Sequence, residues 1–249
     1  RSRPWSTDDD EVLRHDFLGQ GEASKEDRPY VIEELARHQA LIMDELGAEK
    51  VHPMGNSYGG FIALEFARLY PERLHTLVLS GILASREKLF QMYQDISLRF
   101  YRGNEGEFEL YTHYMYEKIF SERFVKNIPD EQLAAMRQRF YDRYIDYRYC
   151  LIRLTEAQDP FFENIEERVQ GYRKVTAPTL ILAGAHDRAI PLWQQEKLAE
   201  IFPNSRYELV PESGHVVYIE RPDIFFPALK AFMAAKSVDF EMPAGEVSE

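Results

Sequence analysis

Three residues of the types that catalyse acyl transfer together occur far apart in the chain. They are Ser57 in GNSYGG, Asp187 in LAGAHDRAIP and His215 in PESGHVVYIERP. A serine hydroxyl is a weak nucleophile unless a base accepts its proton, and that base needs an acid to orient it. The rest of the sequence must therefore be able to bring these three side chains to one place.

The residues around Ser57 are typical of a nucleophile elbow, in which Gly-x-Ser-x-Gly lies between a strand and a helix. KVHPMG (50–55) is predicted as the strand, and YGGFIALEFARLYP (58–71) has the apolar spacing of the helix. The serine then occupies a strained turn that lifts its hydroxyl above the strand ends.

Small neighbours are required at this turn because the strand and the helix approach each other closely. Gly55, Gly59 and Gly60 meet that requirement. The backbone N–H of Tyr58, at the start of the helix, is expected to point to the place where an oxyanion would form. We therefore predict Tyr58 as an oxyanion-hole donor beside the nucleophile Ser57.

Asp187 and His215 both follow predicted strands, APTLILAG (177–184) and SRYELVP (205–211) respectively. Both then lie at carboxyl ends of strands, the edge at which open parallel sheets bind ligands, and the order Ser, Asp, His is that of elbow-type folds. Singly, the aspartate is equally well explained as a helix cap and the histidine as a packed residue; together with the serine they favour a catalytic triad. His186 lies on the acid loop rather than after the last strand, so His215 is the predicted base.

Strands and helices alternate in the segments that flank these residues. EVLRHDF (11–17) is predicted as a strand followed by a turn, and YVIEELARHQALIMDELG (30–47) as a helix. LHTLVLSGIL (74–83) has the composition of a buried strand, and LWQQEKLAEIFP (192–203) and RPDIFFPALKAFMAAK (221–236) have helical spacing. This alternation predicts an α/β fold with a mostly parallel sheet and helices on both faces.

Residues 84–172 interrupt the alternation with a mostly helical stretch that is rich in Phe and Tyr. We predict a helical cap here, inserted into a core made of residues 1–83 and 173–236. Most of the aromatic side chains are expected to form the core of the insertion itself, and a few to wall an apolar substrate pocket. Residues 237–249 are acidic and lack periodicity, which indicates a loose tail.

The composition favours a globular protein that acts on a small molecule. The 249 residues carry a formal net charge of -12, which opposes binding to nucleic acid or anionic membrane through bulk charge. Cys150 is the single cysteine, which fits a cytoplasmic location, and no apolar run approaches the roughly 18 residues of a membrane span. The histidines lack metal-ligand spacing, so no metal or other cofactor is expected. The oligomeric state is left open, a homodimer included.

Four separated segments resemble the α/β-hydrolase superfamily, in the same order along the chain. They are DFLGQGEAS (16–24), GNSYGGFIALEFARLYPERLHTLVLSG (55–81), PTLILAGAHDRAIP (178–191) and SGHVVYIERPDIF (213–225). The resemblance implies hydrolysis through an acyl-enzyme on Ser57, with His215 as base and then acid and Asp187 holding it. It covers most of the chain outside residues 84–172, where the family carries a variable helical cap.

The motifs leave the branch of the superfamily open. A serine nucleophile argues against the dehalogenases, which use aspartate there. GNSxGG with a later DRxxP is similar to the meta-cleavage product hydrolases, which cleave C–C bonds, but these usually have Trp after the catalytic histidine, where this chain has Val216. The leading hypothesis is an esterase for a small apolar acyl or aryl substrate. The alternatives are a C–C bond hydrolase, an acyltransferase and a non-enzymatic binder of a small ligand.

The start of the chain departs from the family pattern. Family members have two or three strands before DFLGQGEAS, and one of these ends in an HG-type loop that donates the second oxyanion-hole N–H. RSRPWSTDDD (1–10) is too short and polar to supply them, so we expect either an N-terminally truncated chain or a reduced variant with a re-paired sheet. Pro53, in the predicted strand 50–55, has no backbone N–H to donate to a neighbouring strand. It therefore marks either a side of this strand that lacks a neighbour or the end of the strand.

Overall fold

The computed structural model describes residues 12–243, and its centre is a sheet of four parallel strands. In order across the sheet, they are β1 (Met54–Asn56), β2 (Leu77–Ser80), β3 (Thr179–Gly184) and β4 (Ser205–Val210). Because neighbouring strands all pair in parallel, their carboxyl ends share one edge of the sheet. The predicted α/β fold with a parallel sheet is confirmed.

The helices predicted at 30–47, 58–71, 192–203 and 221–236 are present, each slightly shorter than its predicted range. The α-helices of the described residues are α1 (Ile32–Glu45), α2 (Tyr58–Leu69), α3 (Lys88–Arg102), α4 (Glu105–Ile119), α5 (Glu122–Asn127), α6 (Asp130–Tyr144), α7 (Arg148–Glu156), α8 (Asp159–Glu163), α9 (Ile165–Tyr172), α10 (Leu192–Ala199), α11 (Val217–Glu220) and α12 (Pro222–Ala235). None of the helices within residues 12–243 is long and apolar enough to cross a membrane.

Successive side chains of the strands enter two different apolar layers. Leu79 and Ile181 are buried on the side of α1, α2 and α9. Val78 and Leu180 are buried on the opposite side, against Phe225 and its neighbours in α12. Both faces of the parallel sheet are therefore covered, as such sheets require, and the strand ends that carry the predicted site are held from both sides.

The strand predicted at 11–17 is wrong for the part that the structure describes. Residues 12–17 lie outside the sheet, and residue 11 falls outside the described residues. A strand gains stability when its alternate side chains share one buried face. Here Leu13 is exposed, while Phe17 stacks on the ring of Tyr58 with the centroids 5.7 Å apart. The short apolar pattern therefore anchors a loop rather than a strand.

β1 is the edge strand of the sheet that residues 12–243 form, and the chain before it pairs irregularly with β2 and the residues just ahead of β2. A parallel bridge joins Val51 to Leu74, and the register shifts by one residue before Met54 pairs with Val78. Pro53, which has no N–H, lies at this interruption, and its carbonyl oxygen accepts from the N–H of Val78 at 2.9 Å. Pro53 thus marks a break in the ladder just ahead of the nucleophile turn.

Helices α3 to α9 lie between β2 and β3, in the stretch predicted to be the insertion. Part of their aromatic content forms a layer of its own, in which Phe108 and Tyr111 of α4 are buried. In contrast, Phe161 and Phe162 of α8 pack on Phe61 of α2, with ring centroids 5.0 and 5.5 Å away. The end of this stretch therefore contributes to the layer that covers the sheet.

The described part of the predicted tail, residues 237–243, is attached to the fold by side-chain packing and by hydrogen bonds to its backbone. The ring of Phe240 lies 5.4 Å from that of Phe232 in α12, and the guanidinium of Arg206 in β4 lies 4.5 Å from its centroid. Arg206 also donates to the carbonyl oxygen of Val238 at 3.1 Å. The remaining residues of the predicted tail, 244–249, lie outside the described residues.

Candidate active site

Ser57 occupies the turn between β1 and α2 with a backbone φ of 50°, a value that residues other than glycine rarely adopt. Its N–H donates to the carbonyl oxygen of Ser80 at 2.9 Å, which ties the turn to the end of β2. Tyr58 is the first residue of α2, so its N–H has no acceptor within the helix. The strained turn therefore presents a hydroxyl beside a helix-terminal N–H at the carboxyl edge of the sheet.

The three glycines of the elbow have different surroundings. A methyl group added at Gly55 would lie 2.6 Å from the carbonyl oxygen of Gly59, and one at Gly60 would lie 3.0 Å from the Cβ of Ile82. A methyl group at Gly59 would meet nothing within 4 Å. Close approach of α2 to the strands therefore explains Gly55 and Gly60, whereas the predicted crowding is wrong for Gly59.

His215 lies on the loop after β4, and its ring bridges the other two predicted residues. Its Nε2 is 2.8 Å from Oγ of Ser57, and its Nδ1 is 3.0 Å from Oδ2 of Asp187. The ring is buried against Gly81, where an added Cβ would lie 2.7 Å from the ring Cε1. The structure thus brings the hydroxyl, the imidazole and the carboxylate together in a chain of two hydrogen bonds.

The carboxylate of Asp187, on the loop after β3, is fully buried and has a donor for each oxygen. Oδ1 accepts the N–H groups of Ala189 and Ile190 at 2.8 and 2.9 Å. Oδ2 accepts from Nε2 of Gln195 at 3.1 Å and faces His215. Such hydrogen bonds offset the cost of burying a charge. Asp187 therefore combines the two roles considered from the sequence, since one oxygen caps the local turn and the other orients the imidazole.

Gln195, in α10, is a site residue that the sequence reasoning missed. Its buried side chain donates to Asp187 Oδ2 and, at 3.0 Å, to the carbonyl oxygen of Ile190, and its Oε1 accepts the N–H of Gly81 at 3.1 Å. It thereby joins the acid loop to the turn behind the histidine. A single glutamine in a helix has no distinctive sequence pattern, and only its place in the first helix after the acid loop points to it.

His186, the alternative base, is exposed on the acid loop. Its backbone N–H donates to the carbonyl oxygen of Ser213 at 2.8 Å. Within residues 12–243, its ring forms no hydrogen bond with Ser57 or Asp187. Of the two histidines, His215 is the one that lies between the hydroxyl and the carboxylate.

The turn between α4 and α5 lies directly on the histidine loop. The carbonyl oxygen of Ile119 accepts the N–H of His215 at 2.8 Å. Glu220 bridges the same two segments, because its carboxylate accepts the N–H groups of Gly214 and Ser121, both at 3.0 Å. Burial raises the pKa of the Glu220 carboxyl, and these two donors oppose that rise. The helical stretch is therefore attached to the loop that carries the candidate base.

Val216, which stands where the meta-cleavage product hydrolases usually have Trp, is buried against that same stretch. It packs with Phe120 and with Leu133 of α6. Within residues 12–243, no group of three or more His, Cys, Asp or Glu side chains is arranged to hold a metal ion. The hydrogen-bonded side chains at the site are those of Ser57, His215, Asp187 and Gln195.

A parallel α/β sheet with a serine elbow and a Ser–His–Asp hydrogen-bond chain at its carboxyl edge defines a protein of the hydrolase type. The sequence model of the alpha/beta hydrolase fold family matches residues 7–222. The chain therefore belongs to the α/β hydrolase fold family.

Individual relatives are similar to the chain over most of its length. One relative is RutD of Pseudomonas savastanoi pv. phaseolicola (strain 1448A / Race 6), which is provisionally named a carbamate hydrolase. It is 28% identical to this chain, and the match covers 95% of this chain and 90% of RutD. The 2-hydroxy-6-oxo-2,4-heptadienoate hydrolase of Pseudomonas putida (strain F1) is 26% identical over 93% of this chain and 83% of its own. The solved structure of MGS-M2, an α/β hydrolase enzyme from a Medee basin deep-sea metagenome library, matches with a TM-score of 0.77 and 23% identity, covering 92% of this chain and 81% of that one.

Proposed function

We propose that the protein is a serine hydrolase that cleaves a carboxylic ester or a related acyl substrate through an acyl-enzyme on Ser57. The observation that carries this proposal is the hydrogen-bond chain from Ser57 through His215 to Asp187. RutD is named for hydrolysis of a carbamate, which is also an attack on a carbonyl carbon, and this supports the same reaction class here.

In the first half of the proposed reaction, Nε2 of His215 takes the proton of Ser57 as Oγ bonds to the substrate carbonyl carbon. The imidazolium then gives that proton to the leaving alkoxide as the ester C–O bond breaks, which leaves the acyl group on Ser57. Water adds to the acyl-enzyme in the same way and returns the free serine and a carboxylic acid. Asp187 stabilises the imidazolium without taking its proton. When Oγ bonds to the carbonyl carbon, the carbonyl oxygen becomes an oxyanion, and the N–H of Tyr58 donates to it. Such a donor contributes a factor of about 10²–10³ to kcat.

The side chains beside the nucleophile support an apolar acyl or aryl substrate. The ring of Tyr58 stacks on Phe17 and lies 6.1 Å from that of Phe61. Phe90 of α3 and Phe162 of α8 continue this aromatic cluster, with ring centroids 5.4 Å apart. The cluster thus starts at Tyr58, the residue after the serine, and contains aromatic side chains from both the sheet layer and the helical stretch. The helical stretch is accordingly proposed to wall part of the substrate pocket.

A fluorophosphonate probe tests the proposed nucleophile directly, because it reacts with an activated serine. We expect the folded wild-type protein to be labelled and to hydrolyse p-nitrophenyl butyrate, and Ser57→Ala to lose both. Ser85→Ala is the matched control, since Ser85 bonds only to Glu87 among the described residues. A folded wild-type protein that the probe does not label would favour the non-enzymatic binder instead.

Hydrolysis of a C–C bond is the second candidate, and the similarity to the heptadienoate hydrolase of P. putida favours it. The same three residues serve both reactions, because each includes attack of the serine hydroxyl on a carbonyl carbon. Cleavage of the C–C bond also needs a proton delivered to the departing carbon, where an ester releases an alkoxide that takes its proton from the imidazolium. Kinetic comparison of 2-hydroxy-6-oxo-2,4-heptadienoate with a simple ester separates the two. A kcat/KM for the dienoate at least about 100-fold above that for the ester would assign the chain to C–C cleavage.

A further inference from the structure

A lysine of the helical stretch lies beside the candidate active site. Lys118 is in the last turn of α4, one residue before Ile119, whose carbonyl oxygen accepts the N–H of His215. Its Nζ lies 4.1 Å from the ring centroid of Tyr93 in α3 and 5.3 Å from that of Tyr114. The ammonium is therefore held against aromatic rings, which replace part of its lost hydration.

The neighbouring cation has partners that Lys118 lacks. Arg188 of the acid loop pairs with the carboxylate of Glu117 at 3.2 Å and donates to the carbonyl oxygen of Phe120 at 3.0 Å. Among the described residues, by contrast, no carboxylate lies within ion-pair distance of Lys118 Nζ, and no acceptor lies within hydrogen-bond distance. Asp187 is the nearby anion, but its oxygens already accept from other donors.

The surroundings of Lys118 disfavour the charge of its ammonium group. Burial lowers the pKa of Lys118 to about 8, and the carboxylate of Asp187 opposes this less strongly. A partly buried charge without a hydrogen-bonded partner is costly, and a ligand that brings the opposite charge removes that cost. The position therefore favours an anionic group on the bound molecule.

We propose that Lys118 binds a carboxylate carried by the acyl part of the substrate, so that the protein prefers anionic to neutral acyl donors. This rests on the proposed function and deepens it, since it names the substrate class. The apolar chain between the reacting carbonyl and the carboxylate would pack on the aromatic cluster around Tyr58. Lys118 is then a specificity-determining residue that takes no part in bond making.

Two methyl esters of equal acyl length, monomethyl adipate and methyl hexanoate, differ in that only the first carries a carboxylate. Comparing them separates the effect of the charge from that of the apolar chain. Their kcat/KM values are to be compared for the wild type, Lys118→Met and Lys118→Arg. Lys126→Met is the matched control, because Lys126 is an exposed lysine of α5 and its loss changes the net charge equally. We expect a wild-type preference for the adipate ester of roughly 10–100-fold. Lys118→Met should abolish it with methyl hexanoate turnover nearly unchanged, whereas Lys118→Arg and Lys126→Met should retain it.

An unchanged preference in Lys118→Met, or an equal loss on both esters, would overturn the proposal and leave Lys118 as a contact between α3 and α4. Cleavage of methyl hexanoate that needs Ser57 reports the hydrolase function separately. If neither ester is cleaved, adipate binding still tests the charged site. Adipate should raise the thermal midpoint of the wild type and not that of Lys118→Met, and equal midpoint shifts would sink the idea.

Discussion

The carboxyl edge of the sheet and the helical stretch α3 to α9 are held by different kinds of contact. At the sheet edge, directional hydrogen bonds fix Asp187 and His215, and Gln195 joins both loops. In the helical stretch, ring contacts are numerous, such as that between Phe108 and Phe140 at 6.1 Å. Hydrogen bonds constrain atoms far more tightly than apolar packing, which is non-directional. This contrast fits the proposed roles, in which the edge carries the chemistry and the stretch walls part of the substrate pocket.

The two regions meet at a seam between the turn after α4 and the histidine loop. Ile119, the last residue of α4, and Ser121, in the turn that follows, contact the histidine loop and Glu220 through their backbone groups. Glu220 stands on the sheet side of this seam and accepts a hydrogen bond from each region. A change at the sheet edge should therefore affect every substrate alike, whereas a change in the helical stretch should affect which substrate is used.

The largest effect is expected at the imidazole of the sheet edge. His215→Ala removes the group that links the hydroxyl to the carboxylate, and we expect kcat for any cleaved ester to fall about 10⁴–10⁶-fold with the fold retained. His186→Ala, on the same edge but exposed, should leave kcat within about twofold. Circular dichroism and stopped-flow or plate assays on both variants check this pair. Comparable losses in the two variants would mean that the base is assigned wrongly.

A smaller effect is expected at the glycines of the elbow, and it is on stability. The added methyl group of Gly55→Ala would meet the backbone of Gly59 and Gly60 at 2.6 Å, so we expect a loss of about 1–3 kcal/mol in the free energy of unfolding. Gly59→Ala places its methyl in open space within a helix and should be neutral or stabilising by up to about 1 kcal/mol. Urea denaturation of both variants measures the difference. Equal free energies of unfolding for the two variants would show that the elbow shifts to accommodate the methyl group at residue 55 without cost.

The sequence predicted the sheet edge better than the helical stretch, for a physical reason. The elbow and the two loops depend on local patterns, a glycine cluster between a strand and a helix and polar residues after buried strands, so Ser57, Asp187 and His215 are recognisable before the fold is known. Gln195 and Lys118 depend on contacts between distant segments. Their side chains are ordinary for helices. The contacts of Gln195 and the proposed role of Lys118 arise only where α10 meets the acid loop and α4 meets α3.

The failed strand prediction at 11–17 has a related cause. Alternation of apolar residues indicates a strand only if a neighbouring strand and a core lie beside it. In the structure, Phe17 finds the ring of Tyr58 instead, and Leu13 stays exposed. Local pattern therefore sufficed for strands that are buried on both faces, such as β3, and was insufficient for a segment at the margin of the sheet.

The smallest effect is expected in the helical stretch. It is a change with pH in the ratio of the kcat/KM values for monomethyl adipate and methyl hexanoate. Because both esters use the same triad, the ratio of their kcat/KM values cancels the titration of the triad itself. The adipate carboxylate is ionised throughout pH 6.5–10, and the groups that face the Lys118 ammonium are the rings of Tyr93 and Tyr114 and the carboxylate of Asp187.

The preference for the adipate ester should fall as pH rises, because only the protonated form of Lys118 attracts the carboxylate. With its pKa at about 8, Lys118 is charged below that value, so the preference for the adipate ester is full near pH 7 and declines as pH rises through about 8. A bound carboxylate favours the ammonium and moves the midpoint in the complex upward. We expect the ratio to fall up to about tenfold per pH unit above the midpoint. Lys118→Arg, whose guanidinium stays charged, should hold the ratio constant to pH 10. A wild-type ratio that is equally flat over that range would show that the charge of Lys118 does not select the substrate, and the division between a catalytic edge and a selecting stretch would then have to rest on shape alone.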